Sequence, residues 1–290
     1  MASVLETIGN TPQVELKRLN PNPAVKIYAK LEGNNPGGSV KDRPALNMIR
    51  TAFDRGEINR NTKLIEATSG NTGIAMALIA NLFNLEIELI MPFTSTRERV
   101  LTMEAFGAKV ILLDNMEVCR DYADEKGAAG DYFLLNQFAN PDNYMAHYKT
   151  TGPEIWRDTS GKVTHFVSAM GTTGTIMGTS MFLKEQDPSV QIIGCQPTEE
   201  SSIPGIRRWA PAYLPKIFDP LRVDRVMDIS QSEATEMTRM LAKEEGIFAG
   251  MSSGGAASAA IRLSRELKSG TIVFIVCDRG DRYLSCNLFA

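Results

Sequence analysis

Lys41 stands in Asn35-Pro36-Gly37-Gly38-Ser39-Val40-Lys41-Asp42-Arg43, a glycine turn that opens into a helical pattern. A lysine held at such a corner cannot wander like one on an open surface. Where it is also desolvated, its amine sheds its proton more readily and becomes a nucleophile toward a carbonyl. Two further segments supply what such a lysine needs. Thr68-Ser69-Gly70-Asn71-Thr72 is a polar turn at the mouth of a helix, with more polar groups than a plain helix cap requires, and it suits a carboxylate. Gly171-Thr172-Thr173-Gly174-Thr175 follows a strand. Its glycines let successive N–H groups converge, and the next helix adds its positive end, so phosphate can bind without lysine or arginine. Together the segments point to an aldehyde cofactor carrying a phosphate, with an amino-acid carboxylate beside it.

Each segment also has a plainer reading: a solvated lysine, an N-cap, an ordinary strand-to-helix turn. Gly33 to Gly38 has P-loop spacing, but Ser39 stands where that loop needs lysine. The strand after the 171–175 turn ends Cys195-Gln196-Pro197, with no acid to grip a ribose, which weighs against a dinucleotide. Cys277 ends the apolar run Ile272 to Val276, and strand alternation would turn Asp278 to the opposite face. Ser252-Ser253-Gly254-Gly255 is a second anion site or a cap, and Gln137 is a lone substrate-binding candidate. His147 and His165 are the only histidines and read as surface residues. They leave little for a metal site or a Ser-His-Asp relay, so no metal is expected.

The elements that must hold these groups alternate between strand and helix. Strands are expected at 25–31, 63–67, 86–91, 109–113, 132–135, 164–169, 191–196 and 271–276. Helices are expected over 42–55, 71–84, 95–106, up to 129, up to 186, 231–245 and 253–268. Residues 198–225 read as irregular, with Pro204, Pro211, Pro215 and Pro220, and long enough to cover or gate something. The alternation predicts an α/β fold: two open, twisted, mostly parallel sheet lobes with flanking helices and a crevice at the carboxyl ends of the strands. Composition does not announce where the lobes divide; a larger, cofactor-binding lobe is expected over 1–36 plus 147–290. The smaller, mobile lobe is expected over 37–146, with the Lys41 turn and the carboxylate loop.

The 290 residues suffice for such a core, and the net charge of -3 gives no footprint for nucleic acid. No apolar run approaches membrane-spanning length, and the first residues carry no secretion pattern. Cys119, Cys195, Cys277 and Cys286 form no Cys-x-x-Cys pair, so a cytoplasmic, reducing setting is expected.

The three motifs, in this order, resemble the fold-type II pyridoxal phosphate enzymes, the group with the tryptophan synthase β-like fold. The cysteine synthases, or O-acetylserine sulfhydrylases, are the nearest branch. The likeness runs from Ile8-Gly9-Asn10-Thr11-Pro12 to Cys277-Asp278-Arg279-Gly280-Asp281-Arg282-Tyr283, and Ile203-Pro204-Gly205-Ile206-Arg207-Arg208-Trp209 with Cys277 resembles the B-type. The resemblance implies pyridoxal 5'-phosphate bound to Lys41. Asn71 would meet the ring hydroxyl and Gly171, Thr172, Thr173, Gly174 and Thr175 the phosphate. Ser252 and Cys277 would contact the cofactor, Cys277 near the ring nitrogen. It implies that Thr68, Ser69, Gly70, Thr72 and Gln137 hold the substrate carboxylate, and that Arg207 and Arg208 lie near the entrance and help admit thiosulfate.

The implied reaction is β-replacement through an aminoacrylate. It forms L-cysteine from O-acetyl-L-serine and sulfide, or S-sulfocysteine from thiosulfate. A homodimer is implied as well. The end Leu288-Phe289-Ala290 lacks the terminal isoleucine with which A-type enzymes dock serine acetyltransferase, so no such complex is expected. Segments 92–99 and 132–135 depart from the B-type pattern. The alternatives are a cystathionine β-synthase or a serine or threonine dehydratase on the same fold. A non-catalytic regulatory protein that binds the cofactor is a further one, though it would need neither Lys41 nor the 68–72 cluster.

Overall fold

The strand and helix signals resolve into two sheets, described over residues 3–68 and 70–289 of a computed structural model. In chain order the elements are β1 (Gln13–Glu15), β2 (Val25–Leu31), α1 (Asp42–Asp54), β3 (Lys63–Ala67), α2 (Asn71–Leu82), β4 (Glu86–Pro92), α3 (Arg97–Ala105), β5 (Lys109–Leu113), α4 (Met116–Ala128), β6 (Phe133–Leu134), α5 (Pro141–Lys149) and α6 (Thr151–Asp158). They continue with β7 (His165–Ala169), α7 (Gly174–Gln186), β8 (Gln191–Pro197), β9 (Arg225–Ile229), α8 (Gln231–Glu245), α9 (Met251–Glu266) and β10 (Gly270–Val276), then a 3-10 segment over Gly280–Cys286.

Among the described residues one sheet runs β1-β2-β10-β7-β8-β9 and the other β5-β4-β3-β6. Neighbours are parallel throughout, except that β1 pairs antiparallel with β2. Ile272 to Val276 of β10 are buried in succession, as are Leu64 to Ala67 of β3. Such unbroken burial requires helices on both faces of a parallel sheet, which is why these strands carry no polar alternation. No helix among the described residues is long and apolar enough to cross a membrane.

Some elements escape the sequence reading. The short edge strand β1 is absent from it, as are α5, α6 and β9, which begins where the stretch expected to be irregular ends. The strand expected at 132–135 shrinks to Phe133–Leu134. Residues 198–224 carry only short 3-10 turns at Pro211–Tyr213 and Pro220–Arg222.

The candidate site residues emerge where strands end. The Lys41 turn follows β2, the Thr68–Thr72 turn follows β3, and Gln137 follows β6. The 171–175 turn follows β7, and Cys277 follows β10. Parallel strands that enter side by side must deliver their loops to one end, which brings distant segments together.

A buried ion cluster fixes one of these loops in place. Arg43 in the first turn of α1 is only 3% exposed. Its guanidinium donates to Glu32 at 2.6 and 2.8 Å and to Glu154 of α6 at 2.6 and 2.7 Å. Fully buried Lys30 of β2 adds a bond to Glu154 at 2.8 Å and one to the Thr11 carbonyl at 2.8 Å. Burial would raise the Glu154 carboxyl, but Arg43 and Lys30 hold it down at about 2. With its N–H groups matched to carboxylates, the guanidinium has only one comfortable position, and Lys41 lies two residues away. Arg43→Met leaves Glu32 without a cationic partner in the interior and Glu154 with Lys30 alone. It is expected to cost about 3–5 kcal/mol of stability in a urea titration.

Candidate active site

The Lys41 turn is built by glycine and by backbone bonds to the end of β10. Gly38 adopts φ +79°, a conformation that a side chain would disfavour. The Val40 N–H donates to the Cys277 carbonyl at 2.8 Å, and Ser39 pairs with Asp278 as an isolated antiparallel bridge. The Gly37 N–H donates to Asp42 Oδ2 at 2.5 Å. Burial pushes the Asp42 carboxyl up to about 7, against the opposing pull of that N–H. Lys41 itself is the half-buried residue just before α1. Burial pushes its amine below the ordinary lysine value, while the neighbouring Cys277 and Asp278 pull the other way. It is therefore the desolvated, anchored amine that a carbonyl adduct requires.

The 171–175 turn has the form of an anion cradle. Thr173 takes the left-handed conformation, φ 70°, at the start of α7. Its hydroxyl is buried without a hydrogen-bond partner. A Cβ on Gly171 would lie 2.8 Å from the Gly205 carbonyl, so only glycine lets the 203–206 loop pass that close. Thr172 accepts from Asn143 Nδ2 at 3.3 Å, and the Gly171 carbonyl accepts from the Trp209 indole at 2.8 Å. Thr175 Oγ1 lies 3.3 Å from His147 Nε2, and His147 Nδ1 lies 2.8 Å from Thr151 Oγ1. Burial, with Arg43 and Lys41 nearby, pushes the His147 imidazole well below its ordinary value, so it stays neutral. An orphaned hydroxyl at a helix start, with backbone N–H groups around it, fits a phosphate.

The carboxylate loop is organised by Thr68 and by an acid behind it. Thr68 Oγ1 accepts from the N–H groups of Gly70 at 3.3 Å and Gly73 at 3.2 Å, which shapes the entry to α2. Thr72 donates to Gln137 Oε1 at 2.7 Å, joining the segments after β3 and β6. Buried Glu66 takes the Asn136 N–H at 2.8 Å and the Gln137 N–H at 3.4 Å. Burial pushes the Glu66 carboxyl up to about 7, although those two N–H groups pull it down.

Beyond Val276 the chain leaves the strand, and alternation lapses. Asp278 turns back toward the site, where its Oδ2 accepts from Asn71 Nδ2 and from the Tyr283 hydroxyl, each at 2.6 Å. Burial pushes the Cys277 thiol up to about 11, opposed by Lys41, with the Ser252 hydroxyl beside it. The neighbouring Ser253 hydroxyl takes the Cys277 N–H at 2.9 Å. Arg207 donates to the Ile206 carbonyl at 3.4 Å. Arg208 faces a different set of partners, the Pro197 carbonyl at 2.8 Å and Asp228 at 2.6 Å.

With this geometry in view, the matches to known proteins are coherent. The family model described as "Pyridoxal-phosphate dependent enzyme" matches residues 4–278. The chain belongs to this family. It is similar to proteins named cysteine synthase B from Pseudomonas aeruginosa, 57% identical over 99% of this chain and 97% of that one. The Salmonella typhimurium protein of the same name is 56% identical over 100% of this chain and 96% of that one. Among solved structures, an Entamoeba histolytica cysteine synthase superposes with TM-score 0.94 at 37% identity, covering 100% of this chain and 90% of that one. An O-ureido-L-serine synthase superposes with TM-score 0.94 at 34% identity, covering 100% and 95%. The fold and the cofactor are thus those of the pyridoxal-phosphate dependent enzymes.

Of the residues singled out from sequence, Lys41, Cys277 and Ser252 gather at the end of β10, and Thr68, Gly70, Thr72 and Gln137 gather at the start of α2. Asn71 joins the two groups through Asp278. Ser69 lies outside the described residues. His147 is a correction: it is 1% exposed beneath the cradle, because α5 packs against α7. Asp278 is another, since the expected turn to the opposite face presumes a strand that has already ended. Residues given no role in the site from sequence are Glu66, Asn143, Asp278, Arg282 and Tyr283. An acid in the otherwise apolar stretch of β3 was the available signal for Glu66.

The Glu66 carboxyl sits above its ordinary 4.5 in the folded protein, which therefore holds a proton that the unfolded chain releases. The associated stabilisation is complete below that value and is lost as pH rises through about 7. Glu66→Gln removes this dependence. The unfolding free energy of the parent protein is expected to fall more steeply than that of the variant between pH about 4.5 and about 7.5, by on the order of 3 kcal/mol in urea titrations.

Proposed function

We propose that this protein is a pyridoxal phosphate-dependent cysteine synthase that forms L-cysteine from O-acetyl-L-serine and sulfide. The observation that carries the reading is Lys41: an anchored, half-buried amine of lowered proton affinity beside Cys277 and Asp278, in a chain that also carries an anion-suited turn at the start of α7 and a polar turn at the start of α2. The identity to named cysteine synthases supports the choice of reaction. Pyridoxal phosphate, when bound, supplies the electron sink for chemistry next to the amino group.

The chain's own residues do the rest. Lys41 anchors the cofactor, then takes the proton from the substrate Cα and later returns it. Residues 171–175 receive the phosphate, and the Asn71 side chain meets the ring hydroxyl. Thr68, Ser69, Gly70, Thr72 and Gln137 orient the substrate carboxylate, with Glu66 bracing the Gln137 backbone. Cys277, its thiol raised to about 11, stays protonated near neutrality. It would offer the ring nitrogen a weak partner in place of a carboxylate, so the bound group would withdraw electrons less strongly, a setting suited to β-replacement.

We read residues 1–36 plus 147–290 as the larger lobe and 37–146 as the smaller, closing one, with the Arg43 cluster at their boundary. We also read the protein as a cytoplasmic homodimer. Four free cysteines, two of them buried, accord with a reducing compartment. A second reading, formation of a thioether with a thiol donor in place of sulfide, has one finding in its favour. An O-acetylserine dependent cystathionine beta-synthase from Helicobacter pylori superposes with TM-score 0.90 at 36% identity.

Borohydride reduction of the holoprotein is expected to leave an adduct that mass spectrometry maps to Lys41, and an adduct on another lysine sinks the reading. Lys41→Ala should lower kcat by about a hundredfold to ten-thousandfold. Product analysis with O-acetylserine and either sulfide or homocysteine separates the two readings. If thiosulfate is accepted, Arg207 is the cation to test, because Arg208 is already paired with Asp228. Arg207→Ala is expected to lower the thiosulfate-to-sulfide ratio of kcat/KM about fivefold, and Arg208→Ala to leave that ratio within about twofold.

A further inference from the structure

The amide of Asn71 sits in a chain of polar contacts that leaves it a single orientation. Its Oδ1 accepts from the Arg282 guanidinium, which also donates to the Gly37 carbonyl. Its Nδ2 donates to Asp278 Oδ2 at 2.6 Å. The same carboxylate oxygen takes the Tyr283 hydroxyl, also at 2.6 Å. Tyr283 in turn carries the Arg99 guanidinium over its ring, 5.4 Å from the centroid. Turning the amide over would set an NH2 group against a guanidinium and a carbonyl against a buried carboxylate. Both bonds to charged groups would become repulsions. One Nδ2 hydrogen is committed to Asp278, and the amide carries a second.

These contacts join segments far apart in the chain. Asn71 begins α2, Gly37 belongs to the Lys41 turn, and Asp278, Arg282 and Tyr283 follow β10. Asp278 is fully buried. Its backbone pairs with Ser39, so the carboxylate that orients Asn71 is held by the same turn that holds Lys41.

We propose that Arg282 and Asp278 are positioning residues. They lock the Asn71 amide with an N–H toward the cofactor, so that the ring oxygen it meets is held as an acceptor. The proposal rests on the reading that Asn71 contacts the ring hydroxyl. An amide fixed as donor favours the ionised form of that hydroxyl, and a loose amide does not. The clamp thus sets the protonation state of the bound cofactor as well as its affinity.

The test compares Asn71→Ala, Arg282→Met and the double variant. Pyridoxal phosphate is titrated into each apoprotein, and the ratio of visible to near-ultraviolet absorbance of each holoprotein is recorded. Either single change is expected to weaken cofactor binding roughly tenfold and to lower the visible fraction. The double variant should be no weaker than Asn71→Ala alone, because Arg282 acts only through that amide. Multiplying losses in the double variant, or an unchanged spectrum in Arg282→Met beside a changed one in Asn71→Ala, overturn the clamp and leave the reading of Asn71 standing. An unchanged Asn71→Ala removes that reading and the clamp with it. Should Arg282→Met fail to fold, Arg282→Lys keeps the charge but cannot fork to both acceptors. It should move the ratio in the same direction by a smaller amount, and an unchanged ratio overturns the proposal.

Discussion

The buried pairing of Arg43 with Glu32 and Glu154 is the constraint on which the site depends. A guanidinium removed from water is tolerable only when its N–H groups meet acceptors of opposite charge, and that condition admits almost no slack. Glu32 follows β2, Glu154 lies in α6, and Arg43 opens α1, so satisfying one side chain fixes three segments at once. Lys30, Thr11 and Asn35 fill the remaining valences of the two acids. Lys41, two residues upstream, inherits that rigidity. A long flexible side chain gains a defined position because its neighbour has no alternative.

Around this anchor the site handles charge mainly without exposed ions. The 171–175 turn offers a helix start and a buried threonine hydroxyl without a partner, and the histidine beneath it is neutral. The lysine is pushed toward its uncharged form and the thiol toward its protonated one. Two acids, Asp42 and Glu66, are raised to about 7 while their oxygens hold backbone N–H groups in place. Low dielectric explains these shifts in common: burial penalises each charged form, and the fixed dipoles of the backbone supply the polarity that solvent would otherwise provide.

Much of the scaffold was legible because strong periodicity survives in sequence. The apolar run before Cys277 and the helical spacing after Lys41 announce β10 and α1 through burial alone. Elements without such a signature were lost. β1 is a short edge strand, β9 alternates weakly, with burial only at Met227 and Ile229, and α5 and α6 mix buried polar residues with apolar ones. His147 was misjudged because its burial comes from helix packing, not from its own neighbours in the chain. Asp278 was misjudged because the strand rule was carried one residue beyond the strand.

By itself the sequence determined which chemistry was available: a lysine at a glycine turn, a polar helix mouth and a glycine-threonine turn suited to an anion are local motifs, encoded over a handful of adjacent residues. Backbone conformation and side-chain type decide such features at short range. Only the tertiary structure decided that Asp278, Arg282 and Tyr283 orient Asn71, that Glu66 braces Gln137, and that Arg208 is committed to Asp228. Those pairings span long sequence separations. They exist because parallel strands deliver their loops to one end and because each buried charge must find its partner there.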